Sequence, residues 1–479
     1  MIKTNKIIEH SLFSIIGKSS DELKMKTFVV GGWVRDCLLK RNKENIEFDI
    51  VCDGDGIKLA KKVAHKLNIK KINIYQNFGT AAFKYKEVNV EFIGARKESY
   101  KTESRNPSIQ KGTIKDDQNR RDFTINAMSV SLNKENYGEF IDPFDGLNDL
   151  KNKTIKTPLD PIKTYNDDPL RMMRAIRFAT TLDFNIEQKS LKAIKDHCDR
   201  IRIIKQERIT EELNKIIMSN KPSIGFELLS KTGLLKLFFS EFEALHGVEI
   251  INGISHKDNF YHTLKVLDNT SLKSQNLWLR WAAILHDIAK PKTKKFDKNH
   301  GWTFHGHEHL GSKMVYQIFK KLKLPLNEQM KYVQKLVLLH LRPIALSKEI
   351  VTDSAIRRLL FDAQNDIDDL MLLCNADITS KNEKKVIKYK KNLKFVTDKL
   401  KLVEENDKIK NWRHPINGDV IMQKLQLIGG KSNPSGGKII AIIKEKIKDA
   451  ILDGKIKNDY DEAEQLMYRI AEELELNLK

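Results

Sequence analysis

The sequence predicts an α+β protein, with a mixed β-sheet head at the N-terminus and an all-α remainder. Three observations carry that prediction. Short runs rich in β-branched and aromatic residues crowd into the first part of the chain, to about Leu150. From Pro169 onward, apolar residues recur at helical spacing almost to the end. The chain's 479 residues are also too many for one compact core. The expected divisions are a head over 1–150, a helical neck over 151–250, a histidine-bearing helical domain over 251–385 and a helical tail over 386–479.

In the head, Thr27-Phe28-Val29-Val30 reads as a buried strand, stopped by Gly31-Gly32 and followed by a helical run from Val34 to Leu39. Further strands are expected at Ile46–Cys52, Ala81–Tyr85 and Val88–Ile93. The polar stretch from Glu98 to Gln118, with Pro107 and Gly112, reads as a mobile loop. In the neck, Leu170, Met173, Ile176 and Thr180 begin one helix; Ile209, Leu213, Ile216 and Ile217 mark another. The tail is rich in Lys, as in Lys388 to Lys394 and Lys438 to Lys457, and the cluster from Gly429 to Gly437 reads as a turn.

Composition narrows the function classes. Apolar residues make up 40% and charged residues 31%, a globular balance. No run approaches the roughly eighteen apolar residues of a membrane helix, and the N-terminus shows no cleavage pattern. Cys37, Cys52, Cys198 and Cys374 form no CxxC pair, so neither a disulfide framework nor a zinc knuckle is indicated. A cytoplasmic protein without a membrane partner is expected. Lys and Arg total 85 against 64 acidic residues, a net charge of +21 that would attract a polyanion. A Lys-rich, AT-biased genome yields the same excess, so the site chemistry must decide.

Residues two apart on a strand share a face. Glu47 and Asp49 therefore point away from Ile46, Phe48, Ile50 and Cys52, and Glu91 points away from Val90 and Phe92. Pairing these strands would gather three carboxylates on one patch, where Mg²⁺ would relieve their repulsion while keeping room for substrate phosphates. The Gly31-Gly32 pair lets backbone approach a phosphate closely.

With strand, Gly-Gly, helix and acidic strand in this order, Val30-Gly31-Gly32-Trp33-Val34-Arg35-Asp36 resembles the opening motif of class II nucleotidyltransferases, the family of tRNA CCA-adding enzymes and bacterial poly(A) polymerases. Four later strings resemble that family's motifs in order: Arg120 to Ala127 (ribose recognition), Asp142 to Leu150 (hinge), Asp167-Asp168-Pro169-Leu170-Arg171 running to Ala179 (nucleotide selection), and Glu207 to Leu213 (neck closure). The resemblance implies that Glu47, Asp49 and Glu91 are catalytic, the first two holding Mg²⁺. Gly31, Gly32, Arg35, Asp36, Arg121, Asp122, Asn126, Asp168, Arg171, Arg174 and Arg177 would bind the nucleotide. Arg171 donors and Asp168 acceptors would pair with a base edge as a template does, and Asp122 would accept from a ribose 2′-OH. Two positions depart from the family. Glu47 stands where Asp is usual, moving that carboxylate by about 1.5 Å, and a slower enzyme or an altered metal preference is expected. Lys156 stands where Arg more often ends the hinge motif.

A second constellation comprises His262, His286-Asp287, His307, His340 and Asp377. It resembles the HD phosphohydrolase superfamily, which implies these six residues as ligands of a divalent metal, with His307 and His340 matching the two-metal branch. Imidazole with carboxylate suits Fe, Mn, Ni or Zn alike. His305 and His309 compete with His307 for that role.

The combined resemblance implies a tRNA nucleotidyltransferase that adds C, C and A from CTP and ATP, gripping the acceptor arm and T loop of tRNA through its basic tail. Poly(A) addition, CC-only or A-only addition, and an HD phosphatase or cyclic phosphodiesterase with a weakened head remain alternatives, and oligomeric state is open.

Overall fold

The computed structural model describes residues 4–41, 46–101, 104–346, 351–380, 382–427 and 434–474. They form two compact units, Met1–Glu243 and Ala244–Lys479.

The first unit is built on a seven-stranded sheet. Its strands are β1 (Thr27–Val30), β2 (Ile46–Cys52), β3 (Asn73–Tyr75), β4 (Thr80–Tyr85) and β5 (Val88–Gly94). After a separate ribbon of β6 (Arg96–Lys101) and β7 (Ser104–Lys111), β8 (Ser129–Ser131) and β9 (Phe140–Ile141) complete it, in the order β3-β4-β5-β2-β1-β8-β9. Only β2 and β5 run parallel within that sheet; its other pairs are antiparallel. Helix α1 (Ser11–Glu22) starts at His10, whose Nδ1 accepts the Leu12 N–H, and α3 (Gly56–Lys66) starts at Asp55, which accepts two backbone N–H groups. Between them α2 (Gly32–Leu38) follows β1 directly. On the sheet, Phe48 meets Phe13 at 4.4 Å and Trp33 at 4.7 Å between ring centroids. Burying such a ring contributes roughly 1.5–3 kcal/mol.

The four strands read from the sequence appear within a residue of their expected limits. The stretch from Glu98 to Gln118 does not behave as a mobile loop: it contributes to the antiparallel ribbon β6–β7 and to α4 (Ile114–Asn119), which Thr113 caps. Its polarity misleads because this two-stranded ribbon pairs outside the main sheet, so alternation does not mark one face as core. The neck helices α5 (Leu170–Leu182) and α6 (Gln206–Ile217) pack together, and Ile176 and Leu213 are fully buried.

In the second unit, the hairpin β10 (Ile250–Ile251) and β11 (Ile254–Ser255) precedes helices α7 (Asn259–Ser271) and α8 (Leu277–Leu285). A second hairpin, β12 (Lys295–Asp297) and β13 (Gly301–Thr303), leads into α9 (His307–Lys321), α10 (Glu328–Leu339), α11 (Asp353–Ala363) and α12 (Ile367–Asp377). This region was expected to be helical throughout; the hairpins are too short to register as strand periodicity. The tail comprises α13 (Glu383–Asp407), α14 (Gly418–Lys424), α15 (Pro434–Leu452) and α16 (Tyr460–Glu473), the last three sharing a core of Ile421, Ile443, Ile447 and Met467. Of the expected turn at Gly429–Gly437, residues 429–433 lie outside the described residues, and Pro434 to Gly437 belong to α15. Pro suits a first helical turn because its missing N–H has no partner there. Arg358 of α11 pairs with Asp449 and Asp453 at 2.9 Å each, joining α15 to the helices before it.

Candidate functional site

In the parallel β2–β5 ladder, Asp49 stands opposite Glu91 and Glu47 opposite Asn89. Phe48, Ile50, Val90 and Phe92 are buried on one side, which turns Glu47, Asp49 and Glu91 to the other. Their crowding is felt at Glu91: partial burial, then Asp49, then Glu47 push its carboxyl above the usual range, against the pull of Arg96 and Arg120. Such a trio can hold a hard divalent cation. Gly31, at the end of β1, has φ 76°. A Cβ there would stand 3.0 Å from both Asp49 Oδ2 and Arg121 Nη1, so glycine keeps the space beside the carboxylates open.

A chain of polar side chains runs nearby, past the Asn126 carbonyl that a Cβ on Gly31 would meet at 4.0 Å. Arg35 forks onto its neighbour Asp36 (2.9 and 3.0 Å) and donates to Asn126 Oδ1 at 2.6 Å. Asn126 donates to Asp122 Oδ1 at 2.9 Å, and Arg174 Nε donates to Asp122 Oδ2 at 2.8 Å. Burial alone would raise the Asp122 carboxyl, but Arg174 and Asn126 hold it well below the ordinary range. Arg177 pairs with Glu212 at 2.5 Å, and the guanidinium carbons of Arg177, Arg174 and Arg35 lie 3.9, 5.5 and 4.9 Å from the centroid of the Phe178 ring. Asp168 and Arg171 stand one turn apart at the start of α5; Asp168 accepts the Leu170 N–H, and Arg171 Nη2 donates to the Arg120 carbonyl at 2.6 Å. Arg121 is anchored on buried Asp117 at 2.9 Å. Sequence reasoning passed over Asp117, although its spacing to Arg120 and Arg121, three and four residues on, is that of a helical ion pair.

In the second unit α7, α8, α9, α10 and α12 bring all six residues of the histidine constellation together. His262 Nε2 lies 3.4 Å from Asp287 Oδ2 and 3.0 Å from Asp377 Oδ1. His286 Nε2 is 3.2 Å from Asp287 Oδ2; on the other oxygen, His307 and His340 approach to 3.3 and 3.9 Å. Asp287 thus faces two half-sites, His262 with His286 and His307 with His340. Each imidazole is fixed through Nδ1: His286 on Ala283 O (2.8 Å), His307 on Phe304 O (2.7 Å), His340 on Val337 O (2.6 Å) and His262 on Thr379 Oγ1 (2.8 Å). The Nε2 atoms of His286, His307 and His340 are buried without a hydrogen bond. Orphaned nitrogens converging on a carboxylate, each ring oriented from behind, fit a divalent metal. Burial and His286 press His340 down to about 4, keeping it neutral, the ligating form. His309 is mostly exposed and His305 exposed, so neither joins the cluster.

Sheet, carboxylate face and histidine cluster together define a polymerase-type head joined to an HD domain. Residues 27–156 match the family described as "Poly A polymerase head domain", 183–245 "Probable RNA and SrmB- binding site of polymerase A", and 259–382 "HD domain". An A-adding tRNA nucleotidyltransferase of Aquifex aeolicus is 30% identical over 69% of this chain, which spans 42% of that protein. A multifunctional CCA protein of Haemophilus influenzae is 32% identical over 63% of this chain and 71% of its own length. A solved CCA-adding enzyme in complex with CTP shares the fold with a TM-score of 0.63 at 22% identity, covering 98% of this chain and 95% of its own. The chain belongs to the class II tRNA nucleotidyltransferase family, in the form that carries an HD domain. Among the described residues, no helix is long and apolar enough to cross a membrane.

Proposed function

We propose that the protein adds nucleotides to the 3′ end of tRNA from CTP and ATP in the cytoplasm, releasing pyrophosphate. The observation that carries this reading is the placing of Glu47, Asp49 and Glu91 on one sheet face beside Gly31. Glu47 and Asp49 would hold Mg²⁺, which supplies activation of the attacking 3′-hydroxyl and charge relief at the departing pyrophosphate. Glu91 stands to take up the proton of that hydroxyl, its raised affinity for protons suiting the task. Arg121, held by Asp117, would meet the triphosphate, and Asp122, held by Arg174 and Asn126, the ribose. Asp168 and Arg171 would present acceptor and donor groups to the base edge, replacing a nucleic-acid template.

The expected product is a full CCA end. A-only addition is the second reading, favoured by the name of the Aquifex aeolicus relative. Incubating tRNA ending at the discriminator base, or at CC, with CTP, ATP or both decides: full extension from the first substrate supports CCA addition, and extension of only the second supports A addition. Long tails with ATP alone would replace both with poly(A) synthesis.

The second unit would hold Mn, Fe, Ni or Zn on His262, His286, Asp287, His307, His340 and Asp377 and hydrolyse phosphate esters there. Metal analysis of purified protein, with hydrolysis of bis(p-nitrophenyl) phosphate, tests this separately from tRNA extension.

A further inference from the structure

We propose that Asp117 is a positioning residue for base choice: by holding Arg120 and Arg121 it seats the base-reading Arg171 and the triphosphate-facing Arg121 on one support. The inference rests on the nucleotide-adding reading of the head. Asp117 lies on α4, the short helix that follows the ribbon β6–β7, and is fully buried. Its two carboxylate oxygens are taken by different arginines: Oδ1 by Arg120 Nη2, and Oδ2 by Arg121 Nε at 2.9 Å. Burial alone would raise this carboxyl, but Arg121 and Arg120 hold it below the ordinary range, so it keeps its charge. The helix is itself tied to the sheet. Gln118 Nε2 donates to the Ala127 carbonyl at 2.9 Å and to Ser129 Oγ, on β8, at 3.1 Å.

Each arginine carries that support to a different part of the site. Arg121 Nη1 reaches the Asn126 carbonyl at 3.3 Å and stands 3.0 Å from where a Cβ on Gly31 would be. Arg120 acts through its backbone: its carbonyl accepts from Arg171 Nη2 at 2.6 Å, while Arg171 Nη1 donates to the Thr164 carbonyl at 3.5 Å. Two of the five N–H groups of that guanidinium are thereby committed to carbonyls, which fixes the plane of the fork that would face the base. Bases differ in which edge atoms donate and which accept, so telling them apart requires donors in fixed places. A side chain seated on main chain is only as fixed as that main chain. Arg120 closes the end of α4, and the ion pair to Asp117, three residues back, holds it there.

The test is single-nucleotide incorporation by the full chain, with kcat and KM measured separately for each nucleotide. CTP and UTP are compared on tRNA ending at the discriminator base, and ATP and GTP on tRNA ending at CC. Asp117→Asn replaces one acceptor oxygen by an amide donor, and should lower the kcat/KM preference for the correct nucleotide about tenfold. Arg120→Met leaves Asp117 paired with Arg121 and should lower that preference to a similar extent. Arg171→Lys should lose the preference by itself, and adding Asp117→Asn should lower it no further, because the two act through one contact. A merely structural Asp117 would instead reduce kcat for right and wrong nucleotides alike. An unchanged preference in both Asp117→Asn and Arg120→Met, or losses that multiply in the double variant, overturns the role and leaves nucleotide addition standing. A wild-type protein that incorporates none of the four nucleotides overturns both.

Discussion

The head and the histidine centre would hold a cation in opposite ways. In the head, the three candidate ligands offer only oxygens on one sheet face, and partial burial, then repulsion from Asp49 and Glu47, raises the proton affinity of Glu91. In the second unit, Asp287 and three histidines are fully buried or nearly so, and each ring is pinned at Nδ1 before any metal arrives. An open oxygen site suits a hard cation that comes and goes with a triphosphate. A pinned imidazole site suits a resident metal. The difference teaches that the head would be completed by its substrate, whereas the histidine centre has its imidazoles aimed without one.

Substitutions can break the comparison in turn. Gly31→Ala breaks the head: a methyl 3.0 Å from Asp49 Oδ2, on backbone at φ 76°, should cut nucleotide addition by about a hundredfold, read as initial rate with labelled CTP. Asp287→Ala removes the carboxylate both half-sites share, and should weaken transition-metal binding by about a hundredfold in competition with a chelator. Nucleotide addition by that variant should stay within about twofold of the original, since the carboxylates of the head would hold their own cation. Glu47→Asp should raise addition about tenfold by drawing the carboxylate back one methylene; an unchanged rate would show that the sheet has adapted to Glu47.

A further effect is read as stability. Asp122 binds its proton more weakly in the folded chain than in the unfolded one, so its ion pair with Arg174 stabilises above the ordinary Asp value near 3.8. That contribution fades as pH falls from there toward the depressed folded value. Asp122→Asn should cost about 3 kcal/mol at neutral pH and flatten the acid limb of the stability curve, both visible in urea titrations. An acid limb identical in the two proteins would remove Asp122 from that role.

How much of this was legible in the sequence follows from periodicity. Ile46-Glu47-Phe48-Asp49-Ile50 alternates because β2 buries one face there, so both strand and carboxylate pair could be read directly. Register could not: nothing local says that β2 runs parallel to β5 with Asp49 opposite Glu91. The ribbon β6–β7 was hidden because it pairs outside the main sheet and shows no apolar alternation. The six residues of the histidine centre were legible as types in order, but the carbonyls of Ala283, Phe304 and Val337 that aim the rings were not, because backbone acceptors have no sequence signature. Likewise, the ion pair that holds Asp122 joins it to Arg174, a residue far along the chain that only the fold brings close.

The most direct test is incorporation of labelled CTP and ATP into tRNA by wild-type and Asp49→Asn protein across a Mg²⁺ titration. The account predicts Mg²⁺-dependent incorporation that drops at least about a thousandfold in Asp49→Asn while Asp287→Ala remains active. Incorporation that survives in Asp49→Asn, or that proceeds undiminished in excess chelator, would contradict it.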